Sequence, residues 1–273
     1  MRFAALCLLL FATSSIGHTQ TVDQLQTLEA QRQLLQAMAT HERQAQAHQG
    51  HFSYMSKERS ERTGGHLWTE KVGESKTGRV RLLIAEDELP LSAERMKAER
   101  DRLAYLAAHP DIVEKEEISR LKDEAKAQDI LDLLARGFLF HNVRSHGGYI
   151  AMDFSPDPAY STNGLEERIY HAMNGTVMVM PGSMRMHLLN AHLDQDMSIG
   201  FGILATIHAG STVTSQRNEE APGEWKTTDL ETRVNGRAIF FKTISRQDRY
   251  NRAEYRKVAD DLTVADMVEM LER

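Results

Sequence analysis

The stretch that decides the fold contains Ile199-Gly-Phe-Gly-Ile-Leu204, Ser211-Thr-Val-Thr-Ser-Gln216, Glu224-Trp-Lys-Thr-Thr-Asp-Leu230 and Ala238-Ile-Phe-Phe241. These runs are rich in β-branched and aromatic residues, which favour strands, and turn residues separate them. The strongest turn signal is Asn235-Gly236, because a type I′ hairpin turn requires positive φ at both central residues. The stretch therefore predicts an antiparallel β-meander with a tight turn at Asn235-Gly236.

Further strands and helices are predicted on both sides of this meander. Alternation of apolar and polar residues predicts strands over 52–57, 67–72, 79–84, 138–143, 149–154, 168–173, 176–180, 185–193 and 254–257. Helical spacing of apolar residues predicts helices over 22–48, 92–108, 110–136 and 263–271. We expect one α+β domain over residues 21–273, a single long, curved antiparallel sheet with helices packed on one face. The helices of 92–136 form an insertion between two groups of strands.

The N-terminus has the pattern of a secretory signal peptide. Met1-Arg2 is a short positive region, and Phe3 to Ala12 is a run of apolar residues followed by small and polar ones. We expect residues 1–20 to be cleaved and the mature chain to be periplasmic. The alternative is a buried N-terminal core helix. Cleavage removes Cys7, the only cysteine, so the mature fold would be stabilised by its core without disulfides.

Composition and motifs argue against several functional classes. The 33 basic and 39 acidic side chains give a net charge of −6, which argues against a nucleic-acid partner. No later run reaches the roughly 18 apolar residues of a membrane helix. There is no Gly-x-Ser-x-Gly elbow and no phosphate loop, and Gly200-x-Gly202 lacks a third glycine. We therefore predict no catalytic residues, no cofactor and no enzymatic activity.

Twelve histidines raise the question of a metal site. His187 and His192 are five residues apart on one predicted strand, so alternation places them on opposite faces. A zinc site needs three or four converging ligands, and nothing in the histidine spacing enforces convergence. No metal site is predicted, although a metal-dependent hydrolase built on the histidines stays open as an alternative.

Methionines and phenylalanines are the candidate ligand-binding residues. Six of the thirteen methionines fall within 25 residues. Alternation places Met178 with Met180 on one strand face, and methionine suits surfaces that accept apolar partners of varying shape. We expect the Met178/Met180 face to line an apolar concavity covered in part by the helices of 92–136; the alternative is that the methionines fill an irregular core. The candidates are Phe138, Phe140, Met178, Met180, Met184, Met186, Phe201 and Leu204.

Short motifs spread over most of the mature chain carry a family resemblance. They are Phe52-Ser-Tyr54, Leu89-Pro-Leu-Ser92, Phe138-Leu-Phe140, Gly148, Pro156-Asp-Pro158, Tyr160, Gly175-Thr176, Gly200-Phe-Gly-Ile-Leu204, Gly210, Trp225, Gly236-Arg-Ala238 and Asp261-Leu-Thr263. With the signal peptide and the covering N-terminal helix, they resemble the outer-membrane lipoprotein-sorting carriers of the Gram-negative periplasm (LolA/LolB type), and more narrowly a group of acidobacterial-type secreted proteins with that fold. The resemblance implies a half-barrel sheet whose concavity holds acyl chains.

Three functional hypotheses follow from these patterns. The first is a periplasmic, non-enzymatic protein that binds a lipid, a lipoprotein acyl chain or another apolar ligand. The second is a structural or protein-interaction module of the cell envelope, with a filled core and envelope proteins as partners. The third is the secreted metal-dependent hydrolase. An apolar cavity beneath the helices would favour the first, a filled core the second, and three converging histidines or acids the third.

Overall fold

The computed structural model describes residues 21–199, 205–238 and 242–273. The helices in these ranges are a short 3₁₀ helix at Val22–Leu25, α1 (Leu28–Gln46), α2 (Ala93–Ala108), α3 (Pro110–Gly137), α4 (Gly164–His171) and α5 (Val264–Glu272). The strands are β1 (Phe52–Arg59), β2 (Trp68–Ser75), β3 (Gly78–Glu86), β4 (Leu89–Pro90), β5 (Phe138–His146), β6 (Tyr149–Pro156), β7 (Asn174–Met180), β8 (Arg185–His192), β9 (Met197–Ile199), β10 (Ala205–Ile207), β11 (Thr212–Ala221), β12 (Glu224–Ala238) and β13 (Lys242–Lys257).

All the strands belong to one open antiparallel sheet of 13 strands, which confirms the predicted α+β class. The strand order is β4-β3-β2-β1-β13-β12-β11-β8-β7-β6-β5, and the short strands β10 and β9 extend from β12. The last strand, β13, lies between the first strand and the meander, and so it joins the two predicted groups of strands into one sheet.

The helical insertion connects the two edges of this sheet. The chain leaves β4 at one edge, forms α2 and α3, and re-enters the sheet at β5, the other edge. A helix of 28 residues is about 42 Å long. Eleven strands side by side in a sheet span about 48 Å. The length of α3 therefore suits a crossing of the whole sheet. Ser92 caps the start of α2, since its hydroxyl oxygen accepts a hydrogen bond from the Arg95 backbone N–H at 3.2 Å.

The helices divide between the two faces of the sheet, whereas the sequence pattern predicted them on one face only. The main core lies beneath α1 and the second half of α3, which pack against strands β5 to β8 on one face. On β2, Val72 packs against Phe52 and Tyr54 on that side, whereas the neighbouring Gly73 leaves room for the Met267 side chain of α5. Helices α2 and α5 cover the opposite face of β2 and β3, because alternation in β3 directs Val80 and Leu82 to that side.

The predicted strand at 168–173 is wrong. These residues belong largely to α4, a helix that begins at Gly164, whose φ of +84° lies in the left-handed region. Glu166 and Glu167 lie in its first turn, where acidic side chains stabilise a helix N-terminus. Over so short a run, apolar alternation does not distinguish a strand from a helix.

The predicted turn at Asn235-Gly236 is also wrong. Both residues lie inside β12, where Asn235 pairs with Ser245 and Gly236 pairs with Ile244 of β13. The ribbon is longer than predicted, and the residues between its strands, 239–241, lie outside the described residues. Gly236 is needed for a different reason. A Cβ at this position would lie 2.5 Å from the backbone oxygen of Thr206 on β10.

Replacing Gly236 with valine is therefore expected to lower the free energy of unfolding by about 1–3 kcal/mol, because the new side chain would overlap backbone atoms of β10. Urea unfolding curves measure this change. Gly182→Val is the matched control, because a Cβ at Gly182 meets nothing within 4 Å. Equal midpoints for Gly236→Val and the wild type would contradict the close approach of β10 to β12.

No helix among the described residues has the length and apolar character needed to cross a membrane.

Candidate ligand-binding groove

The phenylalanine candidates lie in the main core. Phe138 is 3% exposed, and Phe140 is also buried among residues of α1, α3 and the sheet. Met186 is buried in the same core, and Met184 is half-buried against it. Phe201 and Leu204 lie outside the described residues. The structure therefore brings together part of the predicted set, but as a packed core and not as an open concavity.

Met178 and Met180 face away from the covering helices. Their neighbours Val177 and Val179 are fully buried in the core beneath α1 and α3. Successive side chains of a strand point to opposite faces, so the two half-buried methionines belong to the other side of β7. An apolar concavity lined by Met178 and Met180 beneath the helices is not formed. Alternation correctly paired the two methionines but left their face undetermined.

An apolar cavity does lie beneath the helices, next to Phe138. Its volume is about 70 Å³. It is lined by Ile130, Leu133, Leu134, Phe138, Phe154, Tyr170, Met173, Leu189, Ala191 and Val213. Of the candidates that lie within the described residues, only Phe138 is in this lining. We call this space the inner cavity.

A wider groove adjoins the inner cavity between α3 and α4. It has a volume of about 310 Å³ and shares Ile130, Leu133 and Tyr170 with the inner cavity. Its remaining lining is polar and consists of Lys126, Asp129, Asp132, Arg136, Asn163, Glu166 and Glu167. The groove and the inner cavity together form a site with an apolar end and a polar rim.

Local sequence explains the apolar end. Ile130, Leu133 and Leu134 are spaced by three and four residues, so they form one stripe of α3. Opposite this stripe, Phe138 begins β5 and packs edge-on against Phe154 of β6, with ring centroids 5.2 Å apart. The floor is completed by Leu189 and Ala191 of β8 and by Val213 of β11, which pairs with Ala191.

The polar rim is held by a network around Glu167. The Tyr160 hydroxyl donates a hydrogen bond to Glu167 Oε1 at 2.6 Å, and the Asn163 backbone N–H donates to Oε2. These hydrogen bonds, the one from Tyr160 above all, lower the pKa of Glu167. Arg136 Nη2 lies 3.4 Å from the same carboxylate. Glu167 thus stays ionised and fixes the start of α4 against the end of α3.

The rim carries more negative than positive charge. Its cations are Lys126 and Arg136, and its carboxylates are Asp129, Asp132, Glu166 and Glu167. Asp132 is paired with Arg43 of α1 at 2.5 Å, and Glu167 with Arg136. The groups left without these pairings are Lys126, Asp129 and Glu166. Their balance favours a neutral or cationic group at the rim over an anionic one.

Among the described residues, one group of histidine and acidic side chains has ligand atoms within 4.8 Å of one another: His66, Glu86 and Asp87. Arg95 pairs with Glu86 at 2.8 Å and Arg59 with Asp87 at 3.7 Å, so both carboxylates already have cationic partners. The histidines considered from sequence are engaged elsewhere. The His187 ring stacks on Tyr149, and His192 pairs with Asp194 at 3.0 Å. This arrangement gives the hydrolase hypothesis no support.

No protein-family model, curated protein or solved structure matches this chain. The functional argument therefore depends on the geometry of the groove and its rim.

Proposed function

We propose that this chain is a non-enzymatic binding protein that holds a small amphiphile in the groove between α3 and α4. The observation that carries the proposal is the junction of an apolar inner cavity with a polar-rimmed groove through Ile130, Leu133 and Tyr170. Ligand sites in proteins are typically concave and largely apolar, with a few polar groups that orient the ligand. The apolar part of the ligand enters the inner cavity, and its head group remains at the rim.

The size of the site limits the ligand. A cavity of about 70 Å³ takes roughly two groups of the size of water. Only the end of a chain therefore fits inside, and the rest lies in the groove. Each methylene group of the ligand that is removed from water contributes about 0.8 kcal/mol to the binding free energy. Helix α4 has no buried residue, and elements with few buried contacts open at low cost, so displacement of α4 is the route by which a longer chain is accommodated.

The rim selects the head group. Asp132 and Arg136 with Glu167 are already in ion pairs. The remaining charged groups of the rim are two carboxylates, Asp129 and Glu166, and one cation, Lys126. An alkyl chain with a neutral or cationic head is therefore preferred over a fatty acid of equal length. The proposal includes export by residues 1–20 and a periplasmic location, in keeping with the resemblance to the lipoprotein-sorting carriers, which hold acyl chains.

The envelope interaction module is the second candidate. It is favoured by the close packing of the core beneath α1 and α3, where Met152, Val177 and Val179 are fully buried. In that case the inner cavity is a packing defect and binds nothing. The same binding experiment separates the two candidates.

The test is fluorescence titration with a dansylated dodecylamide, followed by competition with dodecylamine and dodecanoate. Ile130→Trp fills the junction between groove and inner cavity and is expected to weaken binding at least tenfold. Ile118→Trp, on the same helix at a side chain 50% exposed, is the matched control and should bind like the wild type. Dodecylamine should compete better than dodecanoate.

Circular dichroism and thermal melts establish that both variants are folded. Wild-type affinity in Ile130→Trp would exclude the groove as the site. Absence of probe binding by the wild type would favour the interaction module.

A further inference from the structure

A second cavity, separate from the groove, lies between α1, α3 and the strands β1, β12 and β13. Its volume is about 130 Å³, and we call it the charged chamber. The ionisable side chains other than tyrosine in its lining are Glu42, Glu74, Arg79, Glu124, Arg217, Lys226 and Arg252. Four cations thus face three carboxylates inside the protein, where a charge is stable only when it is paired.

Three of the four cations have partners in the chamber wall. Arg217 Nη1 lies 2.7 Å from Glu42, and Arg79 donates from Nε to Glu74 at 3.1 Å. Lys226 Nζ donates to the side-chain oxygen of Gln49 at 3.1 Å and to the backbone oxygen of Gly50 at 3.3 Å. Glu124, the remaining carboxylate, is held by Arg120 and Gln46.

Arg252 is different. Within residues 21–199, 205–238 and 242–273 it has no ion pair and no side-chain hydrogen bond, and its Nε is buried without a partner. Its guanidinium lies 4.0 Å from the ring centroid of Tyr250 and 5.7 Å from that of Tyr54. The aromatic faces offer a cation–π contact but no counter-charge. Arg252 is half-buried, and an arginine side chain stays protonated in proteins, so this cation is available to an anion that enters the chamber.

The chamber also holds unused hydrogen-bond donors. The Tyr54 hydroxyl, the indole N–H of Trp225 and Nε of Arg217 are all buried without a partner in the chamber wall. Tyr54 is 4% exposed and Trp225 is 3% exposed. Buried polar atoms are nearly always hydrogen-bonded, so four such donors around one cavity, counting Arg252, point to a missing acceptor. The unpartnered acceptor in the same wall is the side-chain oxygen of Gln128.

We propose that the charged chamber binds a small oxyanion, a phosphate or carboxylate group, with Arg252 as its counter-charge. Tyr54, Trp225 and Arg217 donate hydrogen bonds to its oxygens. Charge-assisted hydrogen bonds from guanidinium groups to such anions are the strong ones in proteins. A volume of about 130 Å³ corresponds to roughly four water-sized groups, which suits an inorganic anion or the end of a larger molecule but not a whole nucleotide.

A neighbouring cleft gives the anion a path to the chamber. It has a volume of about 150 Å³ and shares Gln46, Gln49, Glu74, Arg79 and Glu124 with the chamber. It continues past Arg120 and Glu117 of α3. The anion therefore arrives either as a free ion or as the terminal group of a molecule that extends through this cleft.

The test uses inorganic phosphate and succinate as separate ligands, by calorimetry and by thermal melts at constant ionic strength set with sodium chloride. A ligand that binds only the folded state raises the melting temperature, and the increase grows with the logarithm of one plus the ratio of ligand concentration to Kd. At least one of the two anions is expected to bind the wild type at millimolar concentration or below. The preferred anion distinguishes a phosphate from a carboxylate source.

Arg252→Gln is expected to weaken anion binding at least tenfold and, because it removes an uncompensated charge, to raise the melting temperature without ligand. Arg256→Gln, an exposed arginine of the same strand, is the matched control and should change neither value. Tyr54→Phe removes one donor but keeps the ring stacked on Tyr255 at 4.8 Å, and a three- to tenfold loss is expected. If Arg252→Gln does not fold, the affinity of Tyr54→Phe for the anion still tests the proposal.

Two results would overturn the proposal. One is failure of both anions to bind the wild type at millimolar concentration. The other is unchanged affinity in the folded Arg252 and Tyr54 variants, which would place any bound anion elsewhere. Neither result bears on the groove between α3 and α4, because the two sites share no lining residue.

Discussion

Glu42→Ala is expected to lower the free energy of unfolding by about 3–5 kcal/mol, the cost of breaking a buried ion pair by removing one partner. The Glu42 side chain is 1% exposed and accepts hydrogen bonds from Nε and Nη2 of Arg185, both at 3.0 Å, and from the Met186 backbone N–H at 2.9 Å. Arg217 Nη1 lies 2.7 Å from the same carboxylate. Alanine leaves the buried guanidinium group of Arg185 and the half-buried one of Arg217 without their anion.

Chemical denaturation measures this loss, and Arg43→Ala on the same helix is the control. Arg43 forms an exposed ion pair with Asp132 at 2.5 Å, and surface pairs contribute less than about 1 kcal/mol. Glu42→Gln keeps the size of the side chain but removes its charge, so most of the loss should persist. Similar small losses in Glu42→Ala and Arg43→Ala would show that the buried triad does not stabilise the fold.

The position of Glu42 was predictable, but its role was not. Glu42 follows Leu35 and Met38 by seven and four residues, so helical periodicity places it on the buried stripe of α1. Its principal partner, Arg185, is 143 residues away. A single sequence carries local periodicity, but it does not record which distant cation neutralises a buried carboxylate.

The same division holds for the fold. Strands β1 to β3 and helices α2 and α3 follow from local patterns and lie where they were predicted. The turn at Asn235-Gly236 failed because a non-local contact, the approach of β10 to Gly236, determines that position. The pairing of β1 with β13 is equally non-local, since Phe52 pairs with Lys257. Alternation gives no signal for either contact.

The candidate groove was only partly visible in the sequence. The helices of 92–136 were expected to cover part of an apolar site, and Phe138, which lines the inner cavity, was named as a candidate. Tyr170 and Met173 escaped notice as lining residues because their segment was assigned to a strand, whereas Tyr170 belongs to α4. The sequence analysis did not predict the charged chamber. Its residues are separate in sequence, and an arginine without a partner is recognisable only after folding.

The second large effect is expected at Phe138, where alanine should lower the free energy of unfolding by about 3–5 kcal/mol, as for other buried Phe→Ala changes. Phe138 is 3% exposed, packs edge-on against Phe154 and lies 5.3 Å from the His171 ring centroid. Truncation removes these contacts and extends the inner cavity, because the surrounding strands β5 and β6 are fixed by their pairing.

Met180→Ala is the comparison that gives this prediction its meaning. Met180 is half-buried on the opposite face of the sheet. Its replacement by alanine is therefore expected to lower the free energy of unfolding by less than about 1 kcal/mol. Both changes are measured by urea unfolding at equilibrium, where the midpoint and the slope separate a loss of stability from a change in the unfolded state. A large loss in both variants would mean that the methionine face is also packed core. A small loss of stability in Phe138→Ala would mean that the surrounding side chains rearrange to fill the enlarged inner cavity. Helices α3 and α4 would then also close over this cavity, and the groove would not hold a ligand in the proposed way.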